Sequence, residues 1–175
     1  MQQLTLLVEN DAHSSTLTFQ VKRAEMVRQK LIRICEELNA IYHSRPSERP
    51  AINSQYAAAD LLRPFLSHLD HEEFWIVLLD TKNRVQKLVQ LYKGTVSTAN
   101  VRVAEVFRVP IIENSRSILI AHNHPSGDPT PSPEDVNVTR AIVKAGKLLE
   151  IEVLDHLVIG SGERWVSLKE RGLGF

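Results

Sequence analysis

His122 and His124 stand two residues apart, Ser132 follows eight residues after the second histidine, and Asp135 comes three residues later. In extended backbone, side chains two apart point to the same side, so both imidazoles can meet one ion. Ser132-Pro133 reads as a helix cap followed by a first-turn proline, which places Asp135 in the opening turn of a helix, where its carboxylate can face back to the histidines. Two imidazoles, one carboxylate and one water make the open tetrahedral site of catalytic Zn2+, whereas a structural site closes on four protein ligands. Taken alone, Ser132 and Asp135 also read as a capping box with Asp in the place usual for Glu or Gln. At average residue usage, the joint spacing of all four arises by chance in roughly one chain in several thousand of this length. The spelling His122-Asn123-His124 also names a nuclease class, but that class draws its residues from distant parts of the chain, so the triplet carries no weight.

These residues need a strand, a loop and a helix in succession. Ile118 to Ala121 is a short apolar run that leads into His122, and Asn123 to Pro131 is a polar, proline-rich loop. The helix after Ser132 turns Val138, Ala141 or Ile142, Ala145 and Leu148 or Leu149 to one face. Upstream, Phe74 to Leu79 is continuously apolar, the pattern of a strand covered on both sides; Asp80 to Asn83 supplies turn chemistry and Val85 to Tyr92 the returning strand. Ser54 can cap a helix burying Ala58, Leu61 or Leu62, Phe65 and Leu69, which Pro64 should bend or shorten. Another helix is expected from Asn100 through Ala104, Val106, Phe107 and Ile111, bent at Pro110. Ile151 to Ile159 and Arg164 to Leu168 read as closing strands. Strands interleaved with helices, with at least one hairpin, specify an α/β domain whose mixed sheet is flanked by helices.

The chain's 175 residues suit one domain with an arm: residues 1–50 as the arm and 51–175 as the domain. Val21 to Tyr42 carries Ala24, Val27, Leu31, Ile34, Leu38 and Ile41 at steps of three and four, an amphipathic helix. Its seam is too short for a sustained coiled coil, so packing within its own chain is preferred to a homodimer contact. Two prolines, two serines and two arginines between His43 and Pro50 read as the linker. With 43% hydrophobic and 24% charged residues the chain lies outside the disordered regime. Lys plus Arg and Asp plus Glu both number 21, so no net field steers it toward nucleic acid or an anionic membrane. The longest apolar run falls far short of the ~20 residues of a membrane span, and residues 1–11 lack a signal-like pattern. A single cysteine, Cys35, forms no intrachain disulfide, in keeping with a cytoplasmic setting.

The string Ala121-His-Asn-His-Pro-Ser-Gly-Asp-Pro-Thr-Pro-Ser-Pro-Glu-Asp135 resembles the signature of RadC-like proteins, which belong to the JAMM, or MPN+, metallopeptidase superfamily. Phe74 to Asp80, Lys93-Gly-Thr95, Glu105-Val-Phe107 and Leu154 to Gly160 extend the likeness from about Ile52 to Gly172. The resemblance implies a cytidine-deaminase-like architecture, with His122, His124 and Asp135 as zinc ligands. It also implies Ser132 as the stabiliser of a tetrahedral intermediate, Glu72 as general base, and a peptide or isopeptide bond in a peptide or protein as substrate. Alternation allows only one of Glu72 and Glu73 to face the metal. Where relatives commonly have His-Pro-Arg-Glu, this chain has Arg102-Val-Ala-Glu105, leaving Glu105 as a weaker candidate base. Asp155-His156 reads either as support for a ligand histidine or as an ordinary buried pair. The family's historical link to DNA repair makes a nucleic-acid accessory role the alternative, supported by the basic residues Lys22 to Arg33. Zero net charge and the lack of a recognisable DNA-binding motif, including the helix-hairpin-helix of longer relatives, count against it.

Overall fold

The computed structural model describes residues 46–94 and 101–175, together with Met26, Ile34 and Glu37, which are helical and exposed. The remainder of the expected arm helix, with its basic residues, lies outside the described residues, as does Asn100. The chain divides into Met1–Ser44 and Arg45–Phe175, and the second unit is described below.

After a 3-10 turn at Pro46–Glu48, the order is α1 (Gln55–Leu66), β1 (Glu73–Leu79), β2 (Val85–Lys93), α2 (Val103–Ile112), β3 (Ser117–Asn123), α3 (Pro133–Leu149), β4 (Glu152–Ile159) and β5 (Trp165–Ser167). The sheet runs β2-β1-β3-β4-β5. Every pairing is antiparallel except β3 with β4, which α3 joins by a crossover. The expected α/β class with a mixed sheet is therefore what the chain forms.

Local chemistry sets the boundaries. The Ser54 hydroxyl accepts the Ala57 N–H at 3.2 Å and opens α1. Pro64 lies within α1, two residues before its end. At the β1–β2 turn, Asp80 Oδ1 accepts the Lys82 and Arg84 N–H groups at 2.8 and 3.0 Å, and Asn83 takes a left-handed φ of 55°. Part of the expected linker is pinned to this hairpin: Ile52 N–H donates to Asn83 O, and Val85 N–H to Pro50 O.

One face of the sheet presents Phe74, Ile76, Leu78, Ile118 and Ile120 to Val106 and Phe107 of α2 and to Val138, Ile142 and Val143 of α3. Burying each large side chain is worth about 1.5–3 kcal/mol, so the fold does not lean on the polar cluster at the sheet's end. The opposite face is covered by α1, whose Phe65 ring meets Trp75 with centroids 5.5 Å apart.

Three helix assignments need correction. In α1 the buried set is Ala58, Ala59, Leu62 and Leu66, because the close-packed stripe runs through the small alanines; Phe65 is only half-buried, and Leu69, also half-buried, lies beyond the helix end. α2 begins at Val103 after Arg102, which makes no side-chain cap bond. Leu148 and Leu149 are exposed, 80% and 44%, because α3 ends beyond the layer it packs on; Gly146 is the last residue it buries.

Candidate metal centre

β3 is held between β1 and β4, and the His124 N–H donates to Ile159 O at 3.0 Å just beyond the strand. Extended alternation thus continues one residue past β3, and His122 and His124 project to the same side. Facing them is the start of α3. Ser132 Oγ accepts the Asp135 N–H at 3.1 Å, and the Ser132 N–H donates to Asp135 Oδ2 at 2.7 Å. The capping box is therefore real, and it is also what aims Asp135 at the histidines.

His122 Nε2 lies 3.1 Å from His124 Nε2 and 3.2 Å from Asp135 Oδ1, and His124 Nε2 lies 3.5 Å from Asp135 Oδ2. Zinc bonds of 2.0–2.1 Å give a tetrahedron with edges of about 3.3 Å, close to each of these separations, with the two histidines approaching different oxygens of the one carboxylate. Among the described residues these three form the cluster that could hold a metal. His122 and Asp135 are buried while His124 is 18% exposed, which leaves the cluster open on the His124 side.

The cluster's electrostatics keep Asp135 ionised. Burial pushes the Asp135 carboxyl up, but the His122 and His124 imidazoles outweigh it and hold the group far below the usual carboxylate range. Asp135, more than any other group, raises the His124 imidazole, and the charge of Glu72 adds to this. His124 Nδ1 lies 2.8 Å from Asp128 O, and a carbonyl can only accept. That nitrogen therefore carries a proton, and Nε2 is the atom turned toward the cluster. The loop between His124 and Asp128 is seated on the end of β4, where Ser161 N–H donates to Gly127 O. A Cβ on Gly160 would stand 2.5 Å from that same oxygen, so glycine is needed there for the close approach.

Glu72 is half-buried and lies one residue before β1. Phe74 pairs with His122, and their rings stack at 6.3 Å, so the parity of the extended segment puts Glu72 on the histidine side. Glu73 occupies the opposite face. Its carboxylate accepts from Trp75 Nε1 at 2.8 Å and contacts His71 Nε2 at 2.9 Å. Burial pushes Glu73 up, yet these partners leave it below the ordinary glutamate value. The Glu105 carboxylate is taken by the Tyr92 hydroxyl and by Arg102 at 3.1 Å. Asp155 and His156 are not paired through their side chains. Asp155 accepts from the Ser167 hydroxyl at 2.7 Å and from the backbone of His156 and Lys169. His156, fully enclosed, instead reaches His122 Nδ1 at 2.8 Å.

The RadC-like JAB domain family matches residues 52–173. The chain belongs to that family. A UPF0758 protein of Roseiflexus sp. (strain RS-1) is 59% identical over 128 residues, covering 73% of this chain and 54% of the relative. One from Chloroflexus aurantiacus (strain ATCC 29366 / DSM 635 / J-10-fl) is 56% identical over 128 residues, with 73% and 56% covered. One from Desulfitobacterium hafniense (strain DSM 10664 / DCB-2) is 46% identical over 130 residues, with 74% and 57% covered. The chain thus spans little more than half the length of these relatives. Among the described residues, no helix of this RadC-like chain is long and apolar enough to cross a membrane.

One residue of this RadC-like site escaped the sequence reading. Asn123, between the two histidines, points away from them and brackets Glu72. Its Oδ1 accepts the Glu73 N–H at 2.8 Å, and its Nδ2 donates to His71 O at 2.9 Å. Glu72 O in turn accepts the Gly94 N–H at 3.0 Å. Three successive residues thus serve two tasks, the outer pair facing Asp135 and the middle one holding the segment that carries Glu72. The strict alternation of a strand was the available signal, since it sends the middle side chain to the other face. Asn123→Ala should cost about 2–4 kcal/mol, because it strands two polar groups at a buried position. The His122, His124 and Asp135 cluster should keep its geometry. Urea unfolding checks this, and a loss under about 1 kcal/mol would show that the clamp holds nothing.

Proposed function

We propose that this RadC-like chain is a zinc-dependent hydrolase that cleaves an amide bond, peptide or isopeptide, in a peptide or protein. The observation that carries the reading is the set of 3.1 to 3.5 Å separations among His122 Nε2, His124 Nε2 and the Asp135 carboxylate, with the remaining side open. A zinc ion on these ligands supplies a Lewis acid and a bound water whose pKa falls from about 15.7 toward ~7.

The protein's own groups account for the remaining steps. Glu72, held on the histidine side by the Asn123 clamp, takes the proton of the attacking water and returns it to the departing nitrogen. The Ser132 hydroxyl donates to the oxyanion that develops on the substrate carbonyl. At rest this hydroxyl lies 2.7 Å from Asp135 Oδ2 and donates to it. It is free to turn to substrate because the Ser132 N–H continues to satisfy that oxygen.

The test is metal removal and return on the full chain. Cleavage of a quenched-peptide library, or of a set of branched isopeptides, should vanish on chelation and reappear with one equivalent of zinc. A zinc-loaded chain that cleaves neither set, or cleavage that survives chelation, overturns the proposal.

A further inference from the structure

Behind His122 lies a buried chain of hydrogen bonds whose polarity can be read from its far end. Thr139 Oγ1 lies 2.5 Å from Asp135 O and 2.6 Å from His156 Nδ1, and His156 Nε2 lies 2.8 Å from His122 Nδ1. A backbone carbonyl has no hydrogen, so the single hydroxyl hydrogen of Thr139 goes to Asp135 O. The same oxygen must then accept from His156 Nδ1–H. A neutral imidazole has one N–H, so His156 Nε2 presents a lone pair and accepts from His122 Nδ1–H. With Nδ1 committed to His156, Nε2 is the His122 atom turned to Asp135 at 3.2 Å and to His124 at 3.1 Å, the one that would meet an ion. Thr139 and His156 are both wholly buried, so water offers neither of them another partner.

We infer that Thr139 and His156 are positioning residues that set the tautomer of His122, and that the relay starts from the backbone of the very residue that supplies the carboxylate ligand. It thereby ties the first turn of α3 to the strand histidine: Asp135 contributes its side chain to the cluster and, through its carbonyl, the proton order of the imidazole opposite. The position of His156 depends on an irregularity of the sheet. Ile118 pairs with Val153 but Ile120 pairs with His156, so two residues of β3 oppose three of β4. The extra residue turns His156 onto the His122 face, and without it alternation would send the ring to the α1 side. His156 then stands edge-on to Phe74 at 5.7 Å, in a fixed orientation.

The inference rests on the zinc reading only for its effect on metal affinity; the proton order belongs to the protein alone. Nitrogen-15 NMR of the metal-free full chain should find protons on Nδ1 of both His156 and His122, with none on His156 Nε2. Chelator competition with zinc should then show Thr139→Val and His156→Leu weakening the metal by about 10–100-fold, the usual effect of losing an outer partner of a ligand histidine. Thr139→Ser keeps the hydroxyl, and His156→Gln places an amide oxygen near the former Nε2. Both should stay within a few-fold of wild type, a rescue that loss of packing alone does not predict. A proton on His156 Nε2, or wild-type affinity in both Thr139→Val and His156→Leu, overturns the relay. The wild-type spectrum decides the matter even if a variant fails to fold. Expected protons in a chain that takes up no zinc would leave the relay standing and reject the metal reading instead.

Discussion

The wild-type chain should bind one zinc ion, and His124→Ala should bind none. The two Nε2 atoms lie 3.1 Å apart and each lies within 3.5 Å of one oxygen of the Asp135 carboxylate, and the loss of the His124 Nε2 leaves a histidine and a carboxylate, too few to compete with water and chelators. The fall should exceed the roughly 10–100-fold typical of an outer-partner loss. His124 is the member of the cluster best suited to this test, because it is the most exposed of the three and its other ring nitrogen bonds to Asp128 O. The metal-free fold should therefore survive the change. Linkage provides a second readout: zinc at 100 times its Kd should stabilise the wild type by about 2.7 kcal/mol and the variant by nothing. Metal analysis of dialysed protein and thermal melts with and without zinc check both points. Undiminished stoichiometry in His124→Ala would remove it from the ligand set.

Glu72→Gln should keep the zinc and lose about 10²- to 10⁴-fold in turnover, the range of a positioned proton carrier. Gln retains the shape and hydrogen-bonding reach of Glu but cannot carry the proton. Glu73→Gln makes the contrast. Its carboxylate is buried among Trp75, His71 and the more distant Lys93 on the opposite face, so its change should alter stability and leave turnover near wild type. The reverse outcome, with turnover kept in Glu72→Gln and lost in Glu73→Gln, would move the base across the sheet and contradict the register of Phe74 on His122.

The strongest sequence signals were local. Ser132 and Pro133 announced the start of α3, and the structure places Ser132 as its cap. The apolar run from Phe74 to Leu79 became a central strand with nearly every residue buried. The less successful readings concerned helix faces. Leu148 and Leu149 continue the apolar period of α3, but the period cannot say where the neighbouring layer stops. In α1 the buried stripe shifted by one residue because Ala58 and Ala59 allow close approach, an effect of packing rather than of hydrophobicity. Asp155 and His156 were legible as polar residues in an apolar strand, yet their separate roles were not, because an extra residue in a parallel ladder leaves no mark in composition.

By itself, the sequence determined which atoms are available for chemistry and how neighbouring ones are phased: His122 with His124 across one residue of extended chain, and Asp135 behind a capping serine. These relations span a few residues and follow from the fixed periods of strand and helix. Tertiary structure decided everything that depends on distant pairings. The register of β1 on β3 put Glu73 on the face away from the histidines, the bulge of β4 delivered His156 to His122, and the Asn123 clamp joined two segments about 50 residues apart. Such choices lie outside local patterning because shifting a strand by one residue exchanges its two faces while leaving every propensity along the chain unchanged.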